Sequence, residues 1–285
     1  MKNRKRYFAD LILFLASMIW GAGYYLQKIS SETTSPLTVN LFASISAALT
    51  LLILSRFRLP KKGKGLEYAI LTGAVTIIAG NLQLYGLQTA SIGNTSFITA
   101  IYIVLVPFMA ALFLHRKIRR ILYFAVMLSL AGLYLITTGG RGLDQISRGD
   151  LIVFAGSVFW ALQILLVEKG VSMCDPLQFT AGEFLTAAVL QFLVWLTAGH
   201  HDLTGLDHSL PYILVYGAMS MGIACFMQSY GQKHTGETEA SVIMGLESVF
   251  GALFGALLYH EQFQPLQLLG MALIFSAVLI AVLKN

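Results

Sequence analysis

Two carboxylates stand inside stretches of this chain that are otherwise apolar, Glu247 within 238–259 and Glu183 within 176–198. An ionised carboxylate in hydrocarbon is costly without a partner, and such residues tend to mark ion or substrate pathways. Glu247 is therefore a candidate proton-coupling group, or else a neutral, hydrogen-bonded Glu packed at the centre of a bundle. Polar and aromatic residues recur around these acids at helical spacing. Ser17, Trp20, Tyr24 and Gln27 form one stripe, Asn81, Tyr85 and Gln88 a second, and Thr95, Thr99 and Tyr102 a third. The second half of the chain offers Trp160 with Gln163, Gln228 and Glu247. Stripes of this kind either line a cavity or join helices by hydrogen bonds across their interfaces. The candidate substrate-binding set is Trp20, Tyr24, Asn81, Tyr85, Thr99, Tyr102, Trp160, Gln163, Gln228 and Glu247. It is aromatic and amide-rich, which suits an amphipathic or zwitterionic solute better than a strongly anionic one.

Other chemistry is poorly supported. The chain has no HExxH, GxSxG or CxxC pattern, and His260-Glu261 lacks a second histidine four residues on. His200, His201 and His208 share one polar loop, an arrangement that binds metal weakly at best. Cys174 and Cys225 are too few for a disulfide scaffold and lie in or beside apolar runs, where a thiol is a small hydrophobe. No catalytic residue, metal site or cofactor is expected, and a membrane enzyme is disfavoured.

The elements that must position these residues are long apolar helices. Of 285 residues, 56% are apolar and 12% charged, against about 25% charged in a soluble domain. Mean hydropathy is +0.73. A helix needs about 20 apolar residues to cross a bilayer. Ten stretches qualify: 8–28, 37–55, 66–87, 94–114, 119–138, 150–168, 176–198, 210–230, 238–259 and 265–283. The first could pass for a signal peptide, but it is long enough to cross and shows no small-residue cleavage site. With the N-terminus cytoplasmic, sixteen of the nineteen Lys and Arg residues fall on the cytoplasmic side, leaving Lys28, Arg141 and Arg148 outside. The net charge of +5 is thus a topology signal, and no nucleic-acid partner is expected. The C-terminus is also placed in the cytoplasm.

The chain repeats itself. At an offset of 140, Ala9–Trp20 aligns with Gly149–Trp160, with six of twelve positions identical, and Pro36 aligns with Pro176. Further on the offset is 145, pairing Gln83 with Gln228, Tyr85 with Tyr230, Gly86 with Gly231 and His115 with His260. The added residues fit the loop at about 199–209, where an insertion costs little. The units are 1–141 and 142–285, five spans each. Because five is odd, the second copy enters the membrane from the opposite face. Inverted repeats place a substrate site near the midplane and give inward-open and outward-open states of comparable energy. The expected fold is an all-α integral membrane protein, ten transmembrane helices in two inverted five-helix repeats around a central cavity.

Each half opens with a helix carrying a central Trp, SMIWGAGY at 17–24 and SVFWALQI at 157–164. The fourth spans read TSFITAIYIVLVPFMAALFLHRK at 95–117 and ASVIMGLESVFGALFGALLYHEQF at 240–263. In these features the chain resembles the EamA family of the drug/metabolite transporter superfamily, over essentially its whole length. Ser248 replaces the family's usual Pro after Glu247, which removes one reason for a helix break there, and Arg116 and Lys117 stand where a closing Glu is common. Glu261 keeps that Glu in the second half. The resemblance implies a monomer-sized secondary-active carrier, most often an exporter of amino acids or other metabolites in bacterial inner membranes, with a small-molecule substrate and the lipid bilayer as its partners. It also implies that Glu183, in span seven, is peripheral. A homodimer through Gly251 and Gly255 is the minority reading beside packing of these glycines on Ala110 and Ala111 of span four. The alternatives are a passive channel or facilitator, or an exporter of a nucleoside, amine or cationic drug-like solute.

Overall fold

The computed structural model describes residues 2–114, 120–140, 146–198, 202–235 and 237–283. All regular structure among them is helical: α1 (Lys2–Ser31), α2 (Pro36–Leu54), α3 (Lys64–Leu87), α4 (Ile92–Thr99), α5 (Tyr102–Leu114), α6 (Arg120–Thr138), α7 (Arg148–Val171) and α8 (Pro176–Thr197). Then follow α9 (Leu206–Val215), a π-helical segment (Tyr216–Ile223), α10 (Ala224–Thr235), α11 (Glu237–Met244), α12 (Glu247–Leu258) and α13 (Pro265–Leu283). These join into the ten expected rods, since α4 with α5, α9 through α10, and α11 with α12 each make one span. Large apolar side chains such as Leu49, Ile53, Ile70, Leu71, Phe192 and Leu257 are exposed, as lipid-facing surface requires.

The duplication is visible in the caps. Pro36 and Pro176 each begin a helix, where a missing N–H costs nothing. The preceding Ser35 accepts from Thr38 N, and the preceding Asp175 accepts from Leu177 N and Gln178 N. The closest helix pairings mostly cross between the halves: α3 on α7, α6 on α13, α2 on α8, α1 on α12, α1 on α10, and α4 on α12. The halves therefore interlock and do not form two separate lobes.

Both fourth spans are broken at equivalent positions. α4 ends at Thr99 and α5 begins at Tyr102, while α11 ends at Met244 and α12 begins at Glu247. At the offset of 145 these ends are repeat mates. The breaks are tight turns, with Ile103 N bonded to Ala100 O at 3.0 Å and Ser248 N to Gly245 O at 3.1 Å. Short 3₁₀ turns inside a helix often mark hinges. The second break forms although Ser248 has replaced Pro, and Pro107 lies beyond the first break, inside α5. Proline is not what breaks either span.

Gly251 permits a close crossing, because a Cβ there would lie 2.5 Å from Ser96 Cβ. The expected packing of Gly251 and Gly255 on span four is therefore found, but on its first half-helix, at Ser96 and Ile92, and not at Ala110 and Ala111. The face is filled within the chain.

Candidate functional site

Eight of the ten spans converge on a central cavity. Among the described residues, only those of α6 and α13, which pack on one another, contribute nothing to its wall. Eight of the ten candidate residues line it: Trp20, Tyr24, Thr99, Tyr102, Trp160, Gln163, Gln228 and Glu247. The other two do not. Asn81 accepts from Asn40 Nδ2 at 2.7 Å and donates to Gln191 Oε1 at 2.9 Å, joining α2, α3 and α8. Tyr85 is exposed on the outer face of α3. The stripe through Asn81 and Tyr85 thus turns away from the cavity, and α3 instead presents Thr76, Ile77, Gly80 and Gln83.

Gln83 organises the wall on that side. Trp160 Nε1 donates to Gln83 Oε1 at 2.8 Å, and Gln83 Nε2 donates to Gln27 Oε1 at 3.0 Å. An indole N–H can only donate, so it fixes which end of the Gln83 amide faces Trp160. Thr99 Oγ1 adds a longer contact to the same oxygen at 3.5 Å. The signal that identifies Gln83 was present in the repeat, which pairs it with Gln228.

Pseudo-symmetry would bring Trp20 to Gln228, but Trp20 Nε1 donates instead to the backbone carbonyl of Ser220 at 2.9 Å. Ser220 lies in the π segment, whose counterpart in α3 is ordinary α-helix. Gln228 turns to Gln163, donating to its Oε1 at 3.0 Å. Gln163 Nε2 in turn donates to Glu183 Oε1 at 3.1 Å, and Thr76 Oγ1 donates to the same oxygen at 2.8 Å. Glu183 is fully buried immediately behind the wall, which corrects its expected peripheral position.

At the break in span nine, Glu247 is the first residue of α12 and is 5% exposed. Tyr24 OH donates to its Oε1 at 3.5 Å. Its repeat mate Tyr102 lines the same space, with its buried hydroxyl beside the Glu247 carboxyl. Gln27, Asn40, Phe184, Tyr216, Met221, Cys225 and Met244 also line it, beyond the candidate binding set. Gln27 ends the first polar stripe, and the others are single polar or apolar residues without a stripe to select them. Among the described residues no Lys, Arg or His lines the cavity, so Glu247 is its one carboxylate.

Three features lie at the ends of the spans. Glu261 reaches across the halves, accepting from Ile92 N at 2.6 Å and Gly93 N at 2.9 Å at the start of α4. Lys28 Nζ donates to the carbonyls of Leu87 and Ala90 at 2.7 and 3.1 Å, and Tyr259 OH donates to Glu32. Tyr7 and Tyr123, also near span ends, are exposed. Arg116, Lys117, Arg141, His200 and His201 lie outside the described residues.

The EamA-like transporter family model matches residues 7–138 and again 147–283. An uncharacterized transporter from Archaeoglobus fulgidus is 26% identical over 283 residues, covering 98% of this chain and 87% of that protein. The uncharacterized inner membrane transporter YedA of Escherichia coli is 25% identical over 284 residues, covering 95% and 89%. A solved crystal structure superimposes with a TM-score of 0.74 at 17% identity, covering 97% of this chain and 99% of the other, and so shares the fold.

Proposed function

The chain belongs to the EamA-like transporter family, and from that premise we propose that it is a secondary-active exporter of a small organic metabolite such as an amino acid or related amphipathic solute. The observation that carries this reading is the aromatic, amide-lined cavity at the junction of the two repeats. In the proposed cycle the solute sits between Trp20, Trp160, Tyr24 and Tyr102, and the turns at Ala100–Ile101 and Gly245–Leu246 act as hinges for alternating access. Glu247 exchanges a proton as it meets solute. The cell membrane is the proposed location, both termini cytoplasmic, and the working unit is a monomer.

A second reading concerns the solute's charge. With Glu247 the one carboxylate and no basic side chain in the described wall, the cavity offers a partner to an amine and none to a lone anion. Six aromatic rings, including Phe184 and Tyr216, add cation–π faces. Among amphipathic solutes this favours those with an amino group, including simple amines. The test is a panel of amino acids, amines, nucleosides and organic acids on the purified protein, read by thermal stabilisation and followed by flux in liposomes. Stabilisation and flux with amino-bearing solutes support the reading, and a response to organic acids alone overturns it.

A further inference from the structure

Glu183 has no assigned role, yet its surroundings are those of a functional group. It is 0% exposed in the middle of α8, where α3 crosses so closely that a Cβ on Gly73 would lie 2.4 Å from the Glu183 carbonyl oxygen. Its two carboxyl oxygens are treated unequally. Oε1 accepts from both Thr76 and Gln163, while Oε2 is buried with no partner among the described residues. A bare anionic oxygen in an apolar interior is among the costliest arrangements a protein can hold. With a proton on Oε2, Oε1 becomes the carbonyl oxygen, the atom that both donors address. The pattern is that of a neutral acid.

Among the described residues no nearby charge offers another explanation. Of the elements packed on α8, α2 contains no ionisable residue. α3 carries Lys64, Glu67 and Tyr68 in its first turns and the outward-facing Tyr85. α7 carries Arg148, Asp150, Glu168 and Lys169 near its ends. α10 carries Tyr230, Lys233 and His234 toward its C-terminus, and the π segment carries Tyr216. Cys225 is the ionisable group within electrostatic reach of Glu183, and it reaches Glu247 as well.

Thr76, Gln163 and Gln228 all line the cavity, so the carboxyl sits one side chain behind its wall. We propose that Glu183 is a second proton-binding site of the transport cycle, loaded on Oε2 in this conformation and emptied into the cavity past Thr76 and Gln163 in the other. On release the Oε2–H bond breaks, its electron pair stays on the carboxylate, and cavity water takes the proton. The new anion then needs a donor for Oε2. Gln163 is the nearest amide, and drawing it inward loosens its bond to Gln228, which changes the lining the solute meets. Only the assignment to a cycle rests on the carrier reading; the proton site stands on the geometry.

The test uses the full chain in lipid vesicles and the proton itself as probe. Infrared difference spectra between low and high pH are recorded for the wild type, Glu183→Gln, Glu247→Gln and Thr76→Val. The expected result is a protonated-carboxyl C=O band that fades as pH rises, present in the wild type and Glu247→Gln and missing in Glu183→Gln. Thr76→Val keeps the carboxyl and moves that band to higher frequency, because Oε1 has lost a donor, so the assignment survives a misfolded Gln variant. A Glu183→Gln difference spectrum superimposable on the wild type overturns the proposal, as does a Thr76→Val spectrum with every carboxyl band unmoved. A titrating Glu183 band in a protein that moves no solute supports the proton site and sinks the carrier reading, so the two failures are distinct.

Discussion

Replacing Gln83 by Leu, which cannot hydrogen-bond, removes the acceptor of Trp160 Nε1 and Thr99 Oγ1 and the donor to Gln27 Oε1. The Trp160 and Gln27 contacts are short and have no substitute partner in the wall. An orphaned buried polar group costs about 1–3 kcal/mol, so two cost roughly 2–6 kcal/mol if they stay dry. Both border a cavity with room for water and other polar groups in its wall, which places the expected loss near the lower end, about 2 kcal/mol. At roughly 2–4 °C per kcal/mol, Tm falls by about 4–8 °C. Solute affinity falls as well, because Gln83 orients the Trp160 and Gln27 side chains that the proposed solute meets. The assay is thermal unfolding of purified protein, with and without the stabilising solute, alongside direct binding. Asn81→Leu breaks the joint with Asn40 and Gln191 and lowers Tm with Kd unchanged, while Tyr85→Phe changes neither. If Asn81→Leu weakens binding as much as Gln83→Leu does, or Gln83→Leu lowers Tm while Kd stays constant, the assignment of faces on α3 is wrong.

Three further outcomes are expected. Glu247→Gln retains solute exchange but loses acceleration by a pH gradient in proteoliposomes; unchanged rate and pH dependence would end its coupling role. Glu261→Ala strips two charge-assisted bonds from the start of α4 and costs about 1–2 kcal/mol, read as a lowered Tm, with an unchanged Tm arguing against a cap across the halves. Burial, opposed by Lys233 and reinforced by Asp175, pushes the Cys174 thiol up. Its thiolate fraction at neutral pH is therefore small, so alkylation followed by mass spectrometry is slow there and accelerates as pH rises past the ordinary thiol range. A neutral-pH rate equal to that of a free thiol contradicts this.

The fold was largely legible because a bilayer imposes simple rules. Span length, the sidedness of Lys and Arg, and an odd-numbered duplication led to ten helices in two copies. The breaks in the two fourth spans were not legible. Ser248 argued against a break beside Glu247, whereas both breaks are 3₁₀ turns that need no proline. The stripe on α3 failed for a different reason. α3 buries polar residues on two faces, one against α2 and α8 and one toward the cavity, so polar spacing alone did not separate the Asn81 joint from the Gln83 wall. The repeat did carry that distinction, through the match of Gln83 with Gln228. Glu183 was visible as a carboxylate in an apolar span, but its contact with the cavity depends on the crossing at Gly73, on another helix of the other half.

In the proposed cycle the cavity is exposed alternately to the two sides of the membrane. Counterflow measures this directly. Proteoliposomes holding the wild-type chain are preloaded with an unlabelled solute taken from the stabilisation panel, then diluted into a trace of labelled solute. A carrier with the proposed cycle takes up label transiently above its equilibrium level, because the empty-site return step is bypassed, and Gln83→Leu reduces the overshoot. Monotonic equilibration, the same with or without preload, would contradict the account and show an open path in place of a carrier.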